Sequence, residues 1–269
     1  MTDAYAVIGH PVEHSRSPDI HALFARQTGQ DISYVRRAAP VDGFEASADA
    51  FFAAGGAGLN VTLPFKQAAF EWADALTPRA RAAGAVNTLM ADAGQILGDN
   101  TDGAGLVADL TQRLALPLAG RQVLILGAGG AVRGVVPNLL AAGVARVTIA
   151  NRTLSKADAI AAACQDSGEV AACSLDTAPF DADLVINAIS SGLAGDMPDV
   201  DARILARAGA VYDMLYADTA TPFLRWAAAQ GVTGRDGFGM LVEQAAESFA
   251  LWRGVRPDTA VVLSALRGS

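Results

Sequence analysis

Lysine is almost absent from this chain. Of its 20 basic residues only Lys66 and Lys156 are lysines, and the others are arginines. Those arginines are scattered rather than striped, and the net charge is −8. No concentrated positive face is left for a phosphate backbone, so nucleic acid is not an expected partner. Although 52% of the residues are hydrophobic, no run reaches the roughly 18 apolar residues of a membrane span. The opening MTDAYAVIGHP has no basic segment leading into an apolar one, which argues against a secretory signal and for a cytoplasmic protein. Cysteine is scarce too. Cys164 and Cys173 form no CxxC pair and sit in an alanine-rich stretch, so they read as small buried thiols rather than a disulfide or a metal site.

What is present alternates. Strand-like runs (AYAVIGHP, ISYVRRAA, GLNVTLP) are separated by helical spacing in SPDIHALFARQTG and DGFEASADAFFAAG, which predicts an α/β fold with largely parallel sheets. VNTLMADAGQILGDN predicts a hairpin turning at Ala93-Gly94, and a helix is expected from about Gly103 to Leu114. At Arg121 the character changes: RQVLILGAGGAVRG, ARVTIANRT, ADLVINAIS and GAVYDMLY read as strand and turn units, and DGFGMLVEQAAESFALWRG as a final helix. Two domains follow, one of residues 1–101 plus 240–269 and one of 102–239. A ligand-closing cleft between them, with hinges near 101 and 239, is expected.

VLILGAGGAVRG carries the first chemistry. A strand runs into Gly127, Gly129 and Gly130, and a helix opens behind them. Glycines permit the tight turn and the close approach of backbone to a pyrophosphate, which the helix N-terminus attracts. Val132 breaks the strict G-x-G-x-x-G pattern, but the strand–turn–helix context supports the reading. At the end of the next strand an NAD site places a carboxylate, whereas this chain has Asn151-Arg152-Thr153. A guanidinium suits a 2′-phosphate, so the expected cofactor is NADP.

Four stretches place polar groups where the first domain's strands end. GHPVEHSRSP holds Ser15 and Ser17, which either cap a helix or converge on a carboxylate. All three histidines, His10, His14 and His21, lie in or just after this stretch. Pro11 and Pro18 break any helix that would align them, and no acidic cluster joins them, so no metal site is expected. GLNVTLPFK brings Asn60, Thr62 and, at the tip of the strand, Lys66. GAVNT brings Asn87, and GDNTDGAG brings Asp99, Asn100 and Asp102, the last also well placed as a helix cap.

Taken in order, GHPVEHSRSP, GLNVTLPFK, GAVNT, GDNTDG, GAGGAVRG, NRT, YDMLY with TPFL, and DGFGMLVEQAAESF resemble the shikimate dehydrogenase family over essentially the whole chain. The resemblance implies a two-domain α/β enzyme, with an N-terminal substrate domain on a mainly parallel sheet and a Rossmann-like NADP domain. It would interconvert 3-dehydroshikimate and shikimate in aromatic amino-acid biosynthesis, with small-molecule ligands only and as a monomer or homodimer. Lys66 and Asp102 would be the catalytic pair. Ser15, Ser17, Asn60, Thr62, Asn87, Tyr216 and Gln244 would bind substrate. Gly127, Ala128, Gly129, Gly130 and Ala131 would meet the pyrophosphate, Asn151, Arg152, Thr153 and Lys156 the 2′-phosphate and adenine side, and Ser190, Met214, Gly237 and Met240 the nicotinamide side.

The family often has a second arginine where Lys156 stands, and a threonine where Ile189 stands. Lys156 keeps charge without the planar fork, and Ser190 or Ser191 would compensate for the hydroxyl missing at Ile189. The stretch HSRSPDIHA ends in Ala22 where asparagine is common, a local change. In this reading the Lys66 ammonium stabilises the carbonyl oxygen during hydride transfer and protonates it; a free lysine, ionising at about 10.4, is already charged at neutral pH. Serines that bind a carboxylate as neutral donors predict less salt dependence than an arginine clamp. Two rival readings are a quinate/shikimate dehydrogenase and a non-catalytic NADP-binding sensor.

Overall fold

Each part of the chain builds its own six-stranded sheet in the computed structural model, which describes residues 2–189 and 199–267. The chain divides into two units, Met1–Gly105 with Leu241–Ser269, and Leu106–Met240. These boundaries stand a few residues later than the sequence reading set them.

In the first unit the strands are β1 (Asp3–Gly9), β2 (Ile32–Ala38), β3 (Gly56–Val61), β4 (Ala75–Leu76), β5 (Thr88–Asp92) and β6 (Gln95–Asp99), in the order β2-β1-β3-β5-β6-β4. Only β5 runs against the rest. The inner strands β1 and β3 are nearly continuous buried apolar runs, as a sheet covered on both faces requires. Helix α1 (Ser17–Thr28) starts with Pro18 in its first turn and stops at Gly29, whose φ of 66° suits a residue without Cβ. It buries Ile20, His21 and Phe24, and α2 (Phe44–Ala53) buries Phe44, Ala48 and Phe51. The β5–β6 hairpin turns at Ala93 and Gly94, both at positive φ, as a two-residue turn demands.

Lys66 does not sit at a strand tip. β3 ends at Val61, and a turn closed by the Phe65 N–H on the Thr62 carbonyl (3.0 Å), with a cis Leu63-Pro64 bond inside it, reverses the chain. Lys66 is therefore the first residue of α3 (Lys66–Trp72). The helix expected to reach Leu114 is also different: α5 (Asp102–Ala108) widens into a π-helical turn, Asp109–Arg113. Asp109 there is buried and accepts the Tyr212 hydroxyl at 2.6 Å, a long-range partner that helical spacing does not reveal. The short α4 (Pro78–Ala83), capped by Thr77, and a terminal α10 (Thr259–Arg267) were not anticipated from spacing either.

The second unit holds β7 (Gln122–Leu126), β8 (Arg146–Ala150), β9 (Val170–Cys173), β10 (Leu184–Asn187), β11 (Ala210–Asp213) and β12 (Gly234–Asp236), all parallel, in the order β12-β11-β10-β7-β8-β9. Counted from β7 this is the Rossmann order 3-2-1-4-5-6, with the change of direction between β7 and β10. Helix α6 (Gly130–Ala141) buries Val132, Val135, Val136 and Leu139 in a core shared with Val123, Ile125, Val147 and Ile149. Helices α7 (Leu154–Cys164) and α8 (Pro222–Ala229) form the β8–β9 and β11–β12 crossovers, and α9 (Phe238–Arg253) leads back into the first unit. Among the described residues no helix is long and apolar enough to cross a membrane.

Candidate active site

In the first unit the Lys66 Nζ donates to Asp102 Oδ2 at 2.6 Å, with the two side chains only 13% and 6% exposed. Removed from water, such a pair holds its geometry by attraction and by hydrogen bonds to the remaining lone pairs. Asn87 provides one: its Nδ2 donates to Asp102 Oδ1 at 2.8 Å. The amide can face only one way, because Asn87 Oδ1 accepts the backbone N–H of Thr101 at 2.8 Å. Gln244 joins from α9, its Oε1 3.2 Å from Asn87 Nδ2, while its own Nε2 donates to the Leu241 carbonyl. Thus Lys66, Asp102, Asn87 and Gln244, distant in sequence, form one hydrogen-bonded group. Both Asp102 oxygens serve this group rather than capping a helix.

Braces behind them were legible only as polar residues. Asn100 Oδ1 takes the Asp102 N–H at 3.1 Å, and its Nδ2 holds the Ala85 carbonyl. Asp99 is buried; burial alone would raise its carboxyl, but the Arg79 guanidinium, the Thr77 hydroxyl and the Asn100 N–H together hold it below the usual carboxylate range. Arg79 donates through Nε at 2.7 Å and again through Nη2. Asn60 has a similar internal role in this structure. Its Oδ1 accepts the Tyr34 hydroxyl at 2.7 Å, and its Nδ2 reaches Ser248 Oγ at 3.0 Å and Thr88 Oγ1 at 3.2 Å. Thr88 and Ser248, which sequence reading passed over, are 2.7 Å apart and fully buried, and Thr88 donates to Asn87 Oδ1 at 2.9 Å.

Ser15 and Ser17 come together at the entry to α1, their hydroxyls 3.2 Å apart, with Ser15 Oγ accepting the Ser17 N–H at 3.3 Å. Ser17 is the first helical residue and not the cap. Thr62, in the turn after β3, ties its N–H to the Ile8 carbonyl at 2.9 Å. His10 Nδ1 lies 2.9 Å from the Ala39 carbonyl, while His21, on α1, is fully buried.

In the second unit Gly127 has φ 109°, a conformation reserved for glycine, and Gly129 at the start of α6 brings no side chain to the first-turn N–H groups. Ala128 and Ala131 flank them. This turn fits a pyrophosphate: open donors, a helix dipole and no Cβ in the way. Asn151 donates its Nδ2 to the Thr153 carbonyl at 2.8 Å and shapes the loop after β8. Arg152, Thr153 and Lys156 are exposed there, and Arg152 pairs with no carboxylate among the described residues. Ser190 and Ser191 lie outside the described residues; Ile189 donates its N–H to Asn187 Oδ1.

The loop after β11 is ordered by Asp213, which accepts from Asn187 Nδ2 at 2.9 Å, Leu215 N–H at 3.1 Å and Thr221 Oγ1 at 2.5 Å. Met214 and Tyr216 sit on that loop, and Tyr216 stacks obliquely on Phe238, with ring centroids 5.9 Å apart. Gly237 packs so closely under Met214 that a Cβ would strike the Met214 carbonyl. Met240 N–H reaches the buried Tyr212 hydroxyl at 3.3 Å. Met214, Gly237 and Met240 therefore gather in one place, beside Tyr212.

Residues 7–89 match the family model described as the shikimate dehydrogenase substrate binding domain, residues 109–222 that of shikimate / quinate 5-dehydrogenase, and residues 237–267 the shikimate 5′-dehydrogenase C-terminal domain. The shikimate dehydrogenase (NADP(+)) of Alkalilimnicola ehrlichii is 54% identical over 268 residues, 99% of each chain. Among solved structures, an Ael1 enzyme from Pseudomonas putida superimposes with a TM-score of 0.90 at 44% identity, covering 98% of each chain. The shikimate 5-dehydrogenase of Thermus thermophilus in complex with NADP(H) and shikimate does so with 0.86 at 34% identity, covering 99% of each. With the fold, the glycine turn and the Lys66–Asp102 pair in place, these likenesses decide the matter: the chain belongs to the shikimate dehydrogenase family.

Proposed function

We infer that the chain reduces 3-dehydroshikimate to shikimate with NADPH, reversibly, and that the Lys66–Asp102 pair does the proton work. The 2.6 Å contact between their charged groups, braced by Asn87, carries this reading. NADPH bound at the glycine turn supplies the hydride, with Arg152 and Lys156 receiving its 2′-phosphate. As the ring carbonyl carbon accepts the hydride, negative charge grows on its oxygen, which the Lys66 ammonium stabilises and protonates. Lysine suits this role because its compact charge follows one oxygen and its proton can leave, whereas a guanidinium stays protonated. Asp102 keeps the ammonium aimed. Ser15, Ser17 and Thr62 hold the substrate carboxylate and ring, Asn87 and Gln244 the ring hydroxyls, and Tyr216 contributes from its loop. Asn60 acts through its partners by fixing Tyr34 and Ser248. The first unit is the substrate domain and the second the NADP domain. The reading places the enzyme in the cytoplasm, as a monomer or homodimer with no nucleic-acid partner.

Initial rates for shikimate and for quinate, each with NADP and NAD, on the wild type and on Lys66→Met test this. Fast shikimate oxidation with NADP, lost in the variant, supports the reading. Comparable quinate turnover moves it to the broader enzyme. NADP binding without turnover of either compound overturns it in favour of a sensor.

A further inference from the structure

Strand β2 alternates, so Tyr34 and Arg36 share one face and Arg37 takes the other. Arg37 lies over the Phe51 ring, 5.8 Å from its centroid. Tyr34 and Arg36 instead turn toward the loop of Ser15 and Ser17. Burial pushes the Tyr34 phenol up, and the neighbouring Ser17 hydroxyl offsets part of this. Arg36 Nε donates to the Ser15 carbonyl oxygen at 2.8 Å. One guanidinium is thereby tied to the residue whose hydroxyl pairs with that of Ser17.

We propose that Arg36 is a positioning and specificity residue for anionic substrates: it holds the Ser15 main chain so that the two hydroxyls converge, and it supplies the positive charge that two serines lack. This rests on the reading that Ser15 and Ser17 receive the substrate carboxylate. The planar fork matters. With Nε occupied by the Ser15 carbonyl and Nη2 in only a long 3.8 Å contact with Asp19, the guanidinium still sets a positive field at the neighbouring hydroxyls.

The surrounding charges leave that field in place. Asp19 is shared between two guanidinium groups, its Oδ2 lying 3.8 Å from Arg36 Nη2 and 3.5 Å from Arg16 Nε. Both contacts are long, and Asp19 is half exposed, so neither pair is strong. The Glu13 carboxylate turns back on the Val12 N–H at 3.0 Å. His10 and His14 on the same loop add no negative charge. Substrate affinity then falls with salt, in contrast to the expectation for a site built from serines alone.

The test is the Michaelis constant for shikimate from about 0.01 M to about 1 M salt, where the screening length shrinks from about 30 Å to about 3 Å. Wild type, Arg36→Met, Arg36→Lys and Ser15→Ala are compared, with thermal melts to show that each is folded. The proposal expects KM to rise with salt in the wild type. In Arg36→Met it expects KM about tenfold higher at low salt, equivalent to about 1.4 kcal/mol, nearly flat against salt, with kcat and the KM for NADP little changed. Arg36→Lys should regain the salt slope but not the full affinity, because a lysine cannot keep the Nε tether and a free fork together. An unchanged KM in Arg36→Met, or a raised KM with the wild-type salt slope, overturns the proposal. Ser15→Ala separates the two layers: if KM for shikimate does not move there, the carboxylate site itself is misassigned, whatever Arg36 does.

Discussion

Asn87 presents its amide nitrogen to Asp102 at 2.8 Å, and the Thr101 backbone N–H on its oxygen prevents the amide from turning round. A backbone donor cannot become an acceptor, so the orientation is chemically determined. Asn87→Asp would keep the acceptor for Thr101 while setting a second carboxylate beside Asp102. We expect kcat to fall by about 10²–10⁴-fold, the range for an acid–base group, as Asp102 is driven from its contact with Lys66. Steady-state rates at saturating substrate check this; a kcat near wild type would separate Asn87 from the proton chemistry.

Arg152 should distinguish the cofactors. A hydrogen bond to a charged group contributes about 1.5–3 kcal/mol, so Arg152→Leu should raise the KM for NADP by about 10–150-fold while leaving the KM for NAD unaltered. Equal losses with both cofactors would place Arg152 outside the 2′-phosphate site.

Gly237 has no room for a methyl group, because the Met214 carbonyl occupies the position of its Cβ. Gly237→Ala must push the Met214 loop away, at a cost of about 1–3 kcal/mol for overpacking. The expected result is weaker NADPH binding, by fluorescence titration, with the KM for shikimate nearly unchanged. Unaltered NADPH affinity in a folded variant would remove this turn from the nicotinamide site.

His21 makes stability depend on pH. Its ring is fully buried, stacked on Tyr34 at 4.2 Å and flanked by Phe24, Phe249 and Trp252. Neither nitrogen has a hydrogen-bond partner among the described residues. Burial lowers its pKa from 6.5 to about 3, which the nearby Asn60 only partly offsets. Between those values the unfolded chain binds a proton that the folded one does not, so stability is lost as pH falls below 6.5. At pH 5 the loss is about 2 kcal/mol. His21→Phe fills the same aromatic cage without a titrating group. It should therefore show a flatter denaturation midpoint between about pH 7 and pH 5, and an identical slope in both proteins would contradict the assignment.

Much of the second unit was legible because its signals are local. The glycine turn, the strands around it and Asn151-Arg152-Thr153 lie within one crossover, and their chemistry follows from neighbours a few residues away. The β5–β6 hairpin was legible for the same reason, since Ala93-Gly94 is itself the turn. The widening of α5 at Asp109 was not, because its partner Tyr212 is far along the chain. Asn60 was expected at the substrate, yet its amide is committed to Tyr34, Ser248 and Thr88. Nothing near Asn60 in the sequence announces those partners. Arg36 went unnoticed among so many arginines until β2 brought it to the Ser15 carbonyl.

The sequence by itself determined the α/β class, the glycine turn and the residue types available for chemistry, since period, glycine placement and side-chain type are properties of short stretches. Only the tertiary structure decided which of those residues meet. It put Lys66 at the head of a helix rather than the tip of a strand, aimed its ammonium at Asp102, and surrounded the pair with Asn87 and Gln244 from other elements. A hydrogen bond is a relation over about 3 Å in space, and sequence spacing carries no such distance once a fold has brought residues 36 and 157 positions apart into contact.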